Sequence, residues 1–285
     1  MFEKYFNKEI LISQGILSLN FGLIKLLGKR IPANSIILFK SIINIFFNLL
    51  TKDKLNSNTF TFFTLKTNSI FDRKYIYVYF STVFLICSLK SLKFSNFITL
   101  TIFNPFLFVF DNYLKKKNSD KNIILLGLVG IGCYLLLYFD SKLGSFYMIL
   151  HLLFTYYLTK SQINSNNNNN IKNSNNKNYA SYFYNIFFSL LFGIIFNGIK
   201  IRFKIILICL ISLFLNVILG FYNKIITNQK NKKNLFYNTI LIIFINMFFN
   251  NIFFNELNNI FDVIGTCLIF SIYYYDDLVK KLKTK

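Results

Sequence analysis

Apolar residues in this chain come in runs of roughly twenty, each bounded by Lys, Asn, Asp or Ser, and that pattern leaves few folds open. A helix of about twenty apolar residues crosses roughly 30 Å of hydrocarbon. Within lipid every backbone polar group must be satisfied inside the segment or in a closed barrel. Barrel strands alternate apolar and polar residues over about ten positions, and these runs do not alternate. The pattern therefore predicts an all-α integral membrane protein. Ten transmembrane helices are expected near 10–27, 35–50, 75–89, 96–114, 122–139, 144–159, 179–197, 203–223, 234–254 and 260–275. The close pairs 75–89 with 96–114 and 122–139 with 144–159 are the most prone to fuse. Composition points the same way. Only 15% of the 285 residues are charged, against about 25% in a soluble domain. The 37 Phe and 18 Tyr are more aromatic surface than a soluble fold of this size can bury.

The formal charge of +21 could mark a nucleic-acid binder, but the positive residues lie almost entirely between apolar runs, so no nucleic-acid partner is expected. The termini and alternate connections that would share one side (1–9, 51–74, 115–121, 160–178, 224–233 and 276–285) hold 22 Lys and Arg. The opposite set (28–34, 90–95, 140–143, 198–204 and 255–259) holds 8. Positive residues concentrate on the cytoplasmic side, so both termini are expected there. One missed span would invert everything after it and spoil this separation. The first run ends in Gly28-Lys29-Arg30 rather than at a small-residue cleavage site, and is expected to be a retained span. The segment 164–178 is mostly Asn, with little to bury, and reads as a flexible cytoplasmic linker. The four cysteines, at 87, 133, 209 and 267, fall inside apolar runs without paired spacing, so small buried hydrophobes are expected rather than a disulfide or a metal site.

Five spans followed by five give two halves of opposite orientation, the inverted-repeat logic of many secondary transporters. The halves divide as 1–140 and 141–285. Each ends in a polar knuckle, then a glycine-marked span closing on aromatic residues and an acid. In the first half this is Phe103-Asn104-Pro105-Phe106, then Leu126 to Gly132, then Tyr138-Phe139-Asp140. In the second it is Phe253-Phe254-Asn255-Glu256, then Val263 to Ile269 with Gly265, then Tyr274-Tyr275-Asp276. Three motifs carry a resemblance. They are Asn255-Glu256 followed by Gly265 and Leu268-Ile269, then Leu92-Lys93-Phe94-Ser95 with Asn104-Pro105-Phe106, then Ile24-Lys25 with Gly28, Arg30, Ile31 and Pro32. In these the chain resembles the ten-helix drug/metabolite transporters of the metabolite-efflux type, and in the third the branch that includes bacterial S-adenosylmethionine uptake transporters. Asn118-Ser119-Asp120 departs from the family's pattern in the first half, and Phe, Ile and Asn replace its alanine-rich faces.

Ionisable residues inside spans are rare and usually face a cavity or a partner. Lys25, near the end of the first span, is expected to snorkel to the interface. Lys40 lies deeper in the second span, where the branch commonly has Arg, and either binds a carboxylate or lines the solute path, or else snorkels to the interface. His151, the only histidine, could hydrogen-bond solute or sit satisfied in the core. Asn104 precedes Pro105, a proline that breaks the helical ladder and is expected to be structural. The resemblance places Asn20, Asn104, His151, Asn216 and Asn246 around a central cavity. Glu256 precedes the last span and suits a helix N-terminus. It and Gly265 are expected to be structural. No catalytic, P-loop or metal-binding motif is found, so neither an enzyme nor a cofactor is expected. The resulting expectation is a transporter of a small-molecule solute in the lipid bilayer, in the cell (inner) membrane and possible as a homodimer. A non-transporting scaffold and an intramembrane lipid or glycan transferase are the alternatives.

Overall fold

A computed structural model of the chain describes residues 8–28, 30–52, 73–102, 120–166, 174–195, 198–227, 245–248 and 250–269. Among these every regular element is a helix. The helices are α1 (Lys8–Leu26), α2 (Ala33–Lys52), α3 (Arg73–Ser91), α4 (Phe94–Ile102), α5 (Asp120–Tyr138), α6 (Lys142–Asn166), α7 (Ser174–Ile195) and α8 (Phe203–Thr227). Residues 245–248, 250–254 and 260–269 are also helical. Each expected span thus has a helix on it. Asn104 and Pro105 lie outside the described residues.

The two pairs most prone to fuse are separate helices, and the reason is local hydrogen bonding. Between α5 and α6, Ser141 is an N-cap: its hydroxyl accepts from the Gly144 N–H at 3.3 Å. Asp140 supports the turn by accepting from the Ser141 N–H at 2.8 Å. Between α3 and α4 the break falls at Leu92 and Lys93, where free N–H groups of the new helix meet acceptors from distant segments. After α1 the chain turns at Gly28, whose φ of 75° lies in the left-handed region that glycine adopts freely at helix ends. In the Asn-rich segment, α6 extends to Asn166 and α7 starts at Ser174, so helix reaches into the expected linker from both sides.

The chain forms two compact units. The first draws on 1–25, 88–148 and 215–285, the second on 26–87 and 149–214. This division by contact interleaves along the chain, unlike a division into successive halves. Each unit buries polar side chains among apolar ones and leaves large apolar side chains exposed. On α1, Ile12, Leu19 and Leu26 form a stripe at seven-residue spacing and all are exposed, while Ser13, Asn20 and Lys25 are buried. In the second unit Phe46, Phe187, Ile194 and Phe214 are exposed, while Ser35, Ser81, His151 and Ser189 are buried. Among the described residues no helix is long and apolar enough to cross a membrane. The backbone of α8 is helical over 25 residues, with side chains described over 203–219.

In the first unit, α5 packs antiparallel to helix 260–269. Phe139 stacks on Phe261 with ring centroids 4.1 Å apart. Deeper in, a Cβ added to Gly132 would lie 2.8 Å from the Gly265 carbonyl oxygen, and one on Gly265 would lie 2.9 Å from that of Gly132. The two backbones touch because neither residue has a side chain. The structural role expected of Gly265 has this geometric basis.

Candidate functional site

The polar residues of the first unit form one network centred on the start of α4. The Lys25 ammonium bonds to a Glu256 carboxylate oxygen at 2.7 Å and to the Leu92 carbonyl at 2.6 Å. It also lies over the rings of Phe254 and Phe94, 5.1 and 5.9 Å from their centroids. The expectation that Lys25 snorkels to an interface is corrected: at 8% exposure it is buried, and carboxylate, carbonyl and rings replace its water. The same Glu256 oxygen accepts from the Phe94 N–H at 2.9 Å. Glu256 therefore does serve a helix N-terminus, but that of α4 rather than of the helix that follows it in sequence. The following helix has its own acid: Asp262 accepts from the Asn259 N–H at 2.7 Å, a reach back from the third helical position to the cap.

A second ion pair lies beside the first. Lys93 Nζ meets Asp262 at 2.8 Å, with Asp262 fully buried. The Asn96 amide donates to Asp140 at 3.0 Å and to Asp262 at 2.9 Å, and the Lys93 N–H donates to Asp140 at 2.9 Å. Asn250 closes the network through the Phe94 N–H, Ser95 and the Glu256 carbonyl. Asn255, in the turn before Glu256, has a φ of 51°, a conformation asparagine tolerates. Lys25, Leu92 to Ser95 and Glu256, one stretch from each resembling motif, thus meet here. Three of the expected asparagines are in this unit and are bonded inward. Asn20 donates to Asn216 at 2.8 Å, and Asn246 donates to Ser18 at 3.0 Å.

Connections that the charge count put on one side come together within each unit. In the first unit 90–95, 140–143 and 255–259 meet through Lys93, Asp140 and Glu256. In the second, 28–34 meets 198–204 through Lys200 to the Arg30 carbonyl. Nearby, Ser35 at the start of α2 bonds to Gly198 and Lys200.

The second unit holds the other two expected site residues. His151 is buried on α6, its Nδ1 2.9 Å from the Ser81 carbonyl. A carbonyl can only accept, so Nδ1 carries a proton. The Ser81 hydroxyl then donates to Thr155, and Thr155 to the His151 carbonyl. This closed set is the satisfied-core arrangement for the histidine. Around it the interior is aromatic: Tyr79 packs on Phe188 and Phe192, and Phe154 on Phe80 and Phe84. Tyr79 also reaches α2, donating to Asn34 at 2.9 Å.

Lys40 is different. It sits on α2 beside Cys209, partly buried, and makes neither ion pair nor hydrogen bond with any described residue. On α7, which packs along α2, Asn185 Oδ1 is buried without a hydrogen-bond partner, and one turn on the buried Ser189 hydroxyl lies against that of Tyr79. The sequence reading gave neither of these a role, nor Asn96 and Asp262, and met Lys93 only within a motif. For the charged pair a signal existed, since charges are scarce in this chain and both flank apolar runs. For Asn185 and Ser189 there was none. Among the described residues no group of His, Cys, Asp and Glu is arranged to hold a metal ion. No protein-family model matches the chain, and no curated protein matches it either.

Proposed function

We propose that the chain is a multi-pass integral membrane protein that moves a small metabolite across the bilayer by alternating access, in the manner of the drug/metabolite transporters it resembles. One observation carries the reading. In the first unit Lys25, Asp262 and several Asn and Ser turn inward, in the second several Ser and His151 do, and in both large Phe, Leu and Ile side chains lie exposed. Water would favour the reverse, and exposed apolar surface on this scale calls for an apolar surrounding. Helix length supports it: the 25 residues of α8 extend about 37 Å, beyond the roughly 30 Å of a hydrocarbon core. The meeting of same-side connections within each unit supports the spacing of spans on which the ten-helix topology rests. Both termini then lie in the cytoplasm. The mechanism requires no covalent step. Solute binding shifts the balance between inward-open and outward-open forms by its differential affinity for them. In the first unit Asp140, Glu256 and Asp262 are all engaged in bonds that fasten segments, which favours transport over transfer chemistry.

The test is uptake of a labelled metabolite panel, including S-adenosylmethionine, into proteoliposomes holding the purified protein. Saturable, competable uptake of one solute is expected. Release of the protein from membranes by alkaline carbonate would overturn the membrane reading. Absence of uptake from inserted, folded protein would favour a scaffold.

A further inference from the structure

The connections expected on the side opposite the termini differ in charge between the two units. In the first unit 90–95, 140–143 and 255–259 mix lysines with acids, and Lys93 is neutralised by Asp262. In the second, 28–34 and 198–204 carry two and three Lys and Arg, five of the 8 in that set, and no acid. The fold brings these two connections together. Ser35 accepts from the Lys200 N–H at 2.8 Å and donates to the Gly198 carbonyl. Lys200 Nζ lies 3.5 Å from the Arg30 carbonyl, and Lys204 Nζ donates to the Leu26 carbonyl at 3.2 Å. Arg30, Lys200, Arg202 and Lys204 are all exposed, and among the described residues none has a carboxylate within ion-pair distance. The unit's only acids, Asp53 and Asp72, belong to the connection 51–74, which follows the far end of α2, about 30 Å along the helix from Ala33. That is several times the Debye length of about 8 Å at physiological salt.

Exposed apolar side chains stand between these cations, in the order Lys200-Ile201-Arg202-Phe203-Lys204. Phe203, at 78% exposure, is the most exposed large apolar side chain among the described residues, and Ile201 is close behind. Cations need a polar, anionic zone, and isoleucine and phenylalanine need an apolar one. The boundary of a bilayer offers both side by side. Positive residues are ordinarily kept off this side of a membrane protein, so their concentration at one place calls for an anion there. We propose that Arg30, Lys200, Arg202 and Lys204 form a binding surface for the phosphate headgroups of anionic phospholipids, with Ile201 and Phe203 seated in the acyl chains beneath. This rests on the membrane part of the function proposed above and not on transport. Lys200 and Lys204 keep N–H donors beyond the carbonyl each meets, and Arg30 and Arg202 offer planar forks to phosphate oxygens. A soluble anion would satisfy the cations and leave Ile201 and Phe203 in water, which favours the lipid.

The experiment places the full-length protein in phosphatidylcholine vesicles doped with a photoactivatable phosphatidylglycerol, or with a photoactivatable phosphatidylcholine of the same acyl chains. The reactive group sits next to the glycerol backbone, and labelled peptides are located by mass spectrometry. Wild type is compared with the pair Arg30→Gln with Arg202→Gln and the pair Arg30→Lys with Arg202→Lys. Neither arginine side chain forms an ion pair with a described residue, so both pairs are expected to fold. Each surface cation contributes about fivefold to affinity for anionic lipid. Segment 194–204 of the wild type is therefore expected to be labelled about tenfold or more in favour of phosphatidylglycerol. The Gln pair should cut that preference by about fivefold or more and the Lys pair keep it within about threefold, with labelling of 51–74 unchanged in both. Equal labelling by the two lipids, a preference indifferent to the Gln pair, or no labelling of the segment would each overturn the proposal. So would phosphatidylglycerol labelling abolished by inorganic phosphate at matched ionic strength, which would assign the cations to a soluble anion. Alkaline carbonate extraction of the same vesicles separates the two readings. Released protein removes the membrane reading and this surface with it; retained protein without the lipid preference removes this surface alone.

Discussion

Lys25 and Lys40 are both lysines on helices of one chain, fifteen positions apart, and they have opposite surroundings. Lys25 belongs to a unit with acids to spare and is held by Glu256, the Leu92 carbonyl and two phenylalanine rings. Lys40 belongs to a unit whose described helices contain no acid. The difference teaches that an interior charge is not by itself a sign of function. It becomes one when the surrounding fold does not supply its counter-ion. On that criterion the first unit is fastened and the second is receptive.

The strongest challenge to this contrast is Asp262→Leu, which leaves neither side-chain oxygen. It strands Lys93 and withdraws a fully buried acceptor from Asn96 and Asn259, and should destabilise the protein by about 3 kcal/mol. Thermal unfolding in detergent, followed by size exclusion, reads it. The double variant Lys93→Met with Asp262→Leu should recover part of the loss; a double variant no better than the single would mean that the ion pair is not what fastens the unit. Next comes Gly265→Ala, whose added methyl meets the Gly132 carbonyl and should cost about 2 kcal/mol. Gly130→Ala, with nothing within 4 Å, should be neutral or stabilise by up to about 1 kcal/mol. A similar loss at both sites would remove the helix contact from the account. The smallest effect has the opposite sign. Lys40→Met removes a charge that no acid of its unit's described helices offsets and should stabilise the protein by about 1 kcal/mol. A drop would show that Lys40 is already paired, and would erase its contrast with Lys25.

The helices were legible in the sequence because run length and terminal polar residues set them. Their faces were not. Spans apolar nearly all round carry no strong periodicity, so nothing distinguished the inward side of α5 from its outward side. The pairing of Lys25 with Glu256 joins residues 231 positions apart, beyond the reach of any local pattern. Asn96 and Asp262 each stand alone beside apolar runs, 166 positions apart, and no local pattern pairs them. Glu256 was legible in kind, as a carboxylate at a helix N-terminus, but the helix it serves is α4, chosen by tertiary packing. Lys40 stood out for its depth in a span. Its lack of a partner could be seen only once the acids had been placed in the other unit.

The meeting of Gly132 with Gly265 has a mechanical side. Helices that interlock through long side chains resist a change of crossing angle, because each knob must leave its hole. At this crossing peptide meets peptide, and a knob sits on each side: Ile269 packs over Gly132 and Leu136 over Gly265, each where the facing glycine leaves room. Such a contact fixes the distance between two rods through the bare backbones and their angle through the two seated side chains, a clamp on the first unit rather than a hinge.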